Sequence, residues 1–198
     1  MEDYLRCIAS VDESVGSVLE YLESTGQDKN TIIIYTSDQG FFLGEHGLFD
    51  KRFMYEESLR TPLVIRYPPE IKPQSISGLF VQNLDIAPTL LDIAGVPIPS
   101  EMQGSSLRKI WNKEFENWRD AIYYHYYEEG FGATPHYGVR TDRFKLMHFY
   151  GPIDSWELYD LNTDPTEMNN IYNDMKNEPI VSELKQKLAL LKEQYADN

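Results

Sequence analysis

Apolar residues recur at helical spacing near the start of the chain. Leu5, Ile8, Val15, Val18, Leu19 and Leu22 fall on one stripe, which predicts an amphipathic helix over residues 3–25 with Gly26 as its stop. Polar residues 26–30 follow, and then the periodicity vanishes. Thr31-Ile32-Ile33-Ile34-Tyr35-Thr36 is a continuous β-branched run, the pattern of a strand covered on both faces, as in a parallel sheet. A second such run, Pro62-Leu63-Val64-Ile65-Arg66-Tyr67, is ended by Pro68, Pro69 and Pro73. Residues 80–94 read as a helix entered at Asp85 and closed by Gly95, and 96–105 as irregular chain. Helix, short loop and apolar strand in succession is the grammar of an α/β fold.

From about residue 120 the pattern changes to alternation rich in aromatic residues. Ala121 to Tyr127, Tyr137 to Tyr150 and Ser155 to Asp160 read as three antiparallel strands, and Asn162-Thr163-Asp164-Pro165 as a turn. Val181, Leu184, Leu188, Leu191 and Tyr195 then repeat as the buried stripe of a last helix. The expected organisation is therefore an α/β part over 1–105 and an antiparallel-sheet and helix subdomain, α+β in class, over 106–198.

Composition narrows the function. The chain has 198 residues, long enough to bury a core without disulfides or metal. Acidic residues outnumber basic ones, 32 against 18, for a formal charge of −14. That balance argues against general nucleic-acid binding and against docking on anionic membranes. It leaves room for an anionic substrate, because a few local cations or a bound metal override the global field. No run approaches the ~20 apolar residues of a membrane span. The single cysteine, Cys7, lies on the apolar stripe of the first helix, where a buried inert thiol is the expected reading.

The chemistry is expected after the first strand, because sites in α/β sheets form at the carboxyl ends of strands. Asp38 and Gln39 sit there, a carboxylate beside an amide oxygen, and such a pair suits a hard divalent cation. Gly40 would let the backbone turn closely around the ion. An ordinary Asp-Gly turn is the competing reading. The loop from Gly40 to Lys51 holds three consecutive apolar residues, a histidine and a lysine. Lys51 could act as a point charge on an oxyanion, and His46 could donate to a leaving oxygen.

The stretch from Thr31 to Pro68 resembles the sulfatase family, within the alkaline-phosphatase-like superfamily. The strings that carry the resemblance are Ser37-Asp38-Gln39-Gly40, Gly44-Glu45-His46-Gly47, Asp50-Lys51-Arg52, Tyr55-Glu56-Glu57 and Arg60-Thr61-Pro62-Leu63. It continues through Asn83-Leu84-Asp85-Ile86-Ala87-Pro88-Thr89-Leu90, and again through Leu158-Tyr159-Asp160-Leu161 with Asp164, Pro165, Glu167 and Asn170. The resemblance implies the C-terminal portion of an alkaline-phosphatase-like sulfatase fold and hydrolysis of a sulfate ester, with Ca2+ and a formylglycine nucleophile. It implies Asp38 and Gln39 as calcium ligands and Lys51 as the cation on the sulfate, with His46 as a further catalytic candidate. His136-Tyr137-Gly138-Val139-Arg140-Thr141 resembles a string of carbohydrate sulfatases, which makes His136 a candidate sugar contact, a structural role being equally open.

One departure from the family pattern shapes the expectation. The nucleophile needs Cys or Ser followed two later by Pro and four later by Arg, and Cys7 is followed by Ile8, Ala9, Ser10 and Val11. The nucleophile is thus expected upstream of these residues, and the chain alone is expected to be inactive. An exposed edge left by missing strands could be covered by a homodimer. By resemblance the parent would be periplasmic, extracellular or lysosomal. A phosphate or phosphonate ester hydrolase of the same superfamily, and a non-catalytic metal- or partner-binding fragment, are the alternatives. Packing is the reading for His125 and His148, and a structural pairing of Arg60 with Glu56 or Glu57 is expected.

Overall fold

A computed structural model describes residues 1–130 and 132–197. It divides into two compact units, one of residues 1–36 and 62–76, the other of residues 37–61 and 77–198. The join expected at 105/106 falls inside the second unit.

The first unit holds α1 (Glu2–Ser24), β1 (Ile33–Thr36) and β2 (Leu63–Arg66). Gly26 closes α1 in the left-handed region, φ +68°, where a residue with a Cβ is strained. β1 and β2 pair antiparallel, Ile33 opposite Arg66 and Thr36 opposite Leu63, and Tyr35 and Val64 are exposed. This corrects the expectation of parallel strands covered on both faces. An apolar run fixes that a strand forms, but the path of the chain fixes its direction. Nor is any residue of α1 buried, and Cys7 is exposed rather than packed. Arg66 ties β2 to the turn before β1, through the Asp28 carbonyl at 2.7 Å and its carboxylate at 3.0 Å.

The second unit is built on a four-stranded antiparallel meander, β3 (Ala121–Tyr126), β4 (His136–Thr141), β5 (Phe144–Phe149) and β6 (Ser155–Asp160). The long aromatic stretch 137–150, expected as one strand, is two strands joined by a tight turn. Thr141 closes that turn by exchanging bonds with Phe144, 3.0 Å each way. One face of the sheet carries Ala121, Val139, Leu146 and Leu158 against Leu184 and Leu188 of the last helix, α5 (Glu178–Gln194). The opposite face carries Met147, Phe149 and Tyr159 against Met54, with Phe53, Tyr55 and Leu59 packed around them. The segment 53–59, which includes α2 (Glu56–Leu59), is thus seated on the sheet. Gly138 makes room for it, since a Cβ there would lie 2.7 Å from Met54 Sδ and 2.4 Å from the Leu146 carbonyl.

Charge is buried at the same seat. Lys145 is completely buried on β5, with Nζ 2.9 Å from Glu56 Oε1 and 2.7 Å from Glu167 Oε1. Glu167 accepts the backbone N–H of Glu56 at 2.7 Å, and Arg140 holds the Glu56 carboxylate from β4 at 3.2 Å. Burial pushes Glu167 above the usual carboxylate range, against the pull of Lys145. Burial also opposes ionisation of Glu56, but Lys145 and Arg140 outweigh it and hold that carboxyl low. Arg60, expected to pair here, is exposed and takes neither glutamate.

Elsewhere in this unit α3 (Ile86–Ile93) and α4 (Arg108–Trp111) are joined through buried Asp85. Asp85 takes the N–H groups of Gln82 and Ser105, both at 2.8 Å, and is clamped by Arg119. His125 and His148 pack as expected. His125 bridges Asp197 and Tyr150, and His148 stacks on Trp156 with ring centroids 4.2 Å apart.

Candidate active site

All five candidate residues lie in the second unit. Asp38 and Gln39 leave the end of β1 on a short loop, and Asp38 is exposed. The Asp38 carboxylate accepts the Gln39 N–H at 3.0 Å and the Ser37 hydroxyl at 3.3 Å. The loop's main chain is gripped from a distant segment. The Asn83 amide donates to the carbonyls of Ser37 and Asp38, at 3.2 and 2.8 Å. Nothing in the spacing of the sequence marks Asn83, because it lies 45 residues from Asp38.

Ser58 joins this loop to Lys51. It is buried on α2, where its carbonyl accepts the Gly40 N–H at 2.8 Å and its hydroxyl donates to the Lys51 carbonyl at 2.5 Å. One residue thus fixes the backbones on which Asp38, Gln39 and Lys51 are mounted. The next residue is held from the sheet, where Tyr124 donates to the Arg52 carbonyl at 2.6 Å. Lys51 itself is exposed, and its ammonium has no ion-pair partner among the described residues.

Gly40 is required here for close approach. A Cβ would fall 1.8 Å from the Glu57 carbonyl oxygen, inside any tolerable contact. The packing of loop on helix is by itself a reason for glycine at this position. Gly40→Ala should cost roughly 1–3 kcal/mol by overpacking. Gly16→Ala, with nothing within 4 Å of the new methyl, should be neutral or stabilising by about 0.5–1 kcal/mol in the helix interior. Thermal melts of the two variants check this, and equal melting temperatures would contradict the close contact.

The loop from Gly40 to Lys51 is pinned from inside by Phe42, which has no exposed surface and meets the His46 and Tyr55 rings edge-on. His46 adopts a left-handed backbone, φ +53°, and lies flat on Tyr55 with centroids 4.0 Å apart. Its Nε2 is buried and faces Glu57 Oε2 at 3.5 Å, and neither atom has a closer hydrogen-bond partner. Tyr55 is in turn fixed by donating to Glu157 at 2.9 Å, and burial together with Glu157 pushes its phenol pKa far up, so it stays neutral. His46 therefore braces the loop against α2.

His136 is placed differently from the sugar contact expected of it. It has no exposed surface. Its Nδ1 lies 2.7 Å from the Thr134 carbonyl, and its Nε2 accepts the Met54 N–H at 3.2 Å. With both nitrogens engaged, and with burial pushing the pKa down, the ring is neutral and anchors residue 54 on the sheet. No ring edge is left for a sugar.

The donor set around Asp38 fits calcium in kind, one carboxylate and one amide oxygen, both hard ligands. It fits only in part by number, since such an ion takes about six to eight oxygens. Among the described residues no group of three or more His, Cys, Asp or Glu could hold a metal. No helix among them is long and apolar enough to cross a membrane.

The family profile described as N-sulphoglucosamine sulphohydrolase, C-terminal, matches residues 44–194. The chain belongs to this sulfatase family. The N-acetylglucosamine-6-O-sulfatase of Bacteroides thetaiotaomicron is 53% identical over 203 residues, taking in 100% of this chain and 36% of that protein. A protein solved in complex with its substrate, D-glucosamine-2-N,6-O-disulfate, superposes with a TM-score of 0.94 at 53% identity, over 99% of this chain and 41% of the other. The phosphonate monoester hydrolase of Agrobacterium radiobacter superposes with a TM-score of 0.83 at 29% identity, over 95% and 40% of the two chains. This sulfatase chain thus spans well under half the length of the relatives it matches.

Proposed function

We propose that this chain is the part of a sulfuric ester hydrolase that carries one wall of the sulfate site, and that the substrate is a carbohydrate sulfate, a glucosamine bearing a 6-O-sulfate. The observation that carries the reading is the junction at Ser58, which mounts the Asp38–Gln39 loop and Lys51 on one turn of helix. The 53% identity to an N-acetylglucosamine-6-O-sulfatase over the whole chain supports the sugar.

In this reading Asp38 and Gln39 hold calcium together with ligands from the upstream part of the enzyme. The bound ion supplies positive charge at the sulfate oxygens as the ester is cleaved. Lys51 adds a compact ammonium at the same oxygens, offsetting charge that grows as the leaving oxygen departs. Its carrier is fixed on both sides, by Ser58 and by Tyr124, so little reorganisation is needed when charge develops. His46 and Glu57 keep the loop on α2. A formylglycine nucleophile lies upstream, and the isolated chain is inactive.

The likeness to a phosphonate monoester hydrolase supplies the second reading, because sulfate and phosphonate groups share tetrahedral geometry. Turnover of N-acetylglucosamine 6-sulfate and of an aryl phosphonate monoester by the intact enzyme separates the two. The sulfate ester should be the better substrate by at least about a hundredfold in kcat/KM, and Lys51→Ala should lower that turnover by roughly 10²–10³. A preference for the phosphonate, or full activity without Lys51, overturns the proposal.

A further inference from the structure

The chain from Lys51 to Tyr55 is irregular, and α2 begins only at Glu56. Where such chain is covered, its main-chain groups need partners from other segments. Met54 has no exposed surface, so the need arises here. Two partners come from neighbouring strands of the meander. The Tyr124 hydroxyl of β3 donates to the Arg52 carbonyl at 2.6 Å. The His136 Nε2, at the start of β4, accepts the Met54 N–H at 3.2 Å. A third comes from beyond β6, where Glu167 accepts the Glu56 N–H at 2.7 Å. Residues 52, 54 and 56 are thus each tied to a different part of the sheet subdomain.

The two strand partners are themselves fixed. Tyr124 stands opposite Gly138 and His136 opposite Tyr126, and the Tyr124 and His136 rings lie 5.6 Å apart. Phe53 stacks on His136, also at 5.6 Å. The Thr134 carbonyl engages Nδ1, which leaves the Nε2 lone pair for Met54. Burial pushes the Tyr124 phenol up to about 12, so it stays a donor at neutral pH. For packing alone, a phenylalanine would fill position 124 and spare a half-buried hydroxyl.

These bonds bear on the cation. Lys51 precedes Arg52, and the carbonyls of both are held, one by Ser58 of α2 and the other by Tyr124. A lysine ammonium sits at the end of a long flexible stem, so its place depends on the backbone beneath it. A shift of about 1 Å at a reacting group can cost on the order of a hundredfold in rate.

We infer that Tyr124 and His136 are positioning residues for the sulfate reaction, acting through the main chain of residues 52 and 54 to place Lys51. This rests on the reading above in which Lys51 holds the sulfate, and it adds that the antiparallel sheet sets the position of that cation. Both residues act with their polar atoms engaged inside the protein. A misplaced ammonium loses most where charge develops, so the effect falls on kcat more than on KM.

The test is a double-mutant cycle in the intact enzyme with N-acetylglucosamine 6-sulfate as substrate. Tyr124→Phe removes one oxygen and keeps the ring. It should lower kcat roughly 3- to 10-fold with KM within about twofold. His136→Leu should lower kcat roughly 10-fold or more. His136→Gln should recover most of that loss, since its amide oxygen can accept the Met54 N–H. In a Lys51→Ala background the losses from Tyr124→Phe and His136→Leu should shrink to within about twofold, because the group they place is gone. A purely structural role would lower kcat by the same factor in both backgrounds. Tyr124→Phe, the milder change, carries the test if His136→Leu does not fold, and a thermal melt establishes which variants are folded. An unchanged kcat in Tyr124→Phe, or a loss that persists in full without Lys51, overturns the inference and leaves the sulfatase reading standing. Full activity in Lys51→Ala alone removes the reading of Lys51, and the positioning role with it.

Discussion

Asp38→Ala should reduce turnover of N-acetylglucosamine 6-sulfate by the intact enzyme roughly a thousandfold or more, while the melting temperature stays nearly unchanged. The two halves of that expectation come from different parts of the loop. The side chain is exposed, and among the described residues it accepts from Gln39 N–H and Ser37 hydroxyl, a loss on the order of 1 kcal/mol. The loop's shape is held by other groups, the Asn83 amide on the Ser37 and Asp38 carbonyls and the Ser58 carbonyl on Gly40 N–H. Both grips are on main chain and survive the substitution. A fall in activity below tenfold would remove Asp38 as a metal ligand. A large fall in melting temperature would mean that the carboxylate serves the fold instead.

Lys145→Met is expected to be the most damaging substitution for stability, at about 3–5 kcal/mol. In a chain of this size that corresponds to a fall of roughly 6–20 °C in melting temperature. Lys145 has no exposed surface and neutralises part of two buried carboxylates. Its removal strands Glu167, which is itself 2% exposed, while Glu56 keeps Arg140. The second-site change Glu167→Gln should recover part of the loss, since a neutral amide oxygen can still accept the Glu56 N–H. The pH dependence has a definite sign. Burial already raises the Glu167 pKa above the ordinary 4.5, and removing Lys145 raises it further. A raised pKa in the folded state gives stability that is present at low pH and lost as pH rises through it. The gap between wild type and Lys145→Met should therefore narrow as pH is lowered toward 4.5. A gap below about 1 kcal/mol at neutral pH, or one that widens on acidification, would contradict the buried pair as the cause.

These two predictions concern one construction. The buried charges seat Glu56, and Glu56 opens the helical turn whose Ser58 carries both the Asp38–Gln39 loop and Lys51. Burying such a cluster is costly, and well-packed apolar residues of equal volume are often at least as stable. Its presence beneath the site is consistent with a requirement for position.

The order of elements, the caps at Gly26 and Gly95, and the alternating aromatic strands followed by an amphipathic helix were legible in the sequence because each depends on local periodicity and turn chemistry. So was the candidate chemistry, because Asp38, Gln39 and Lys51 lie within fourteen consecutive residues and share one loop. The direction of β1 relative to β2, the division of 137–150 into a hairpin and the exposure of Cys7 were decided by the tertiary structure, since hydrophobicity is blind to which partner satisfies it. The same holds for the site's supports. Asn83, Glu167 and Lys145 lie 45 to 111 residues from the groups they position, and burial with a hydrogen bond at each ring nitrogen made His136 a neutral packing ring. Spacing along the chain reveals contacts whose partners are near in sequence. Contacts closed by folding leave no periodic trace, and they are the ones that hold this loop in place.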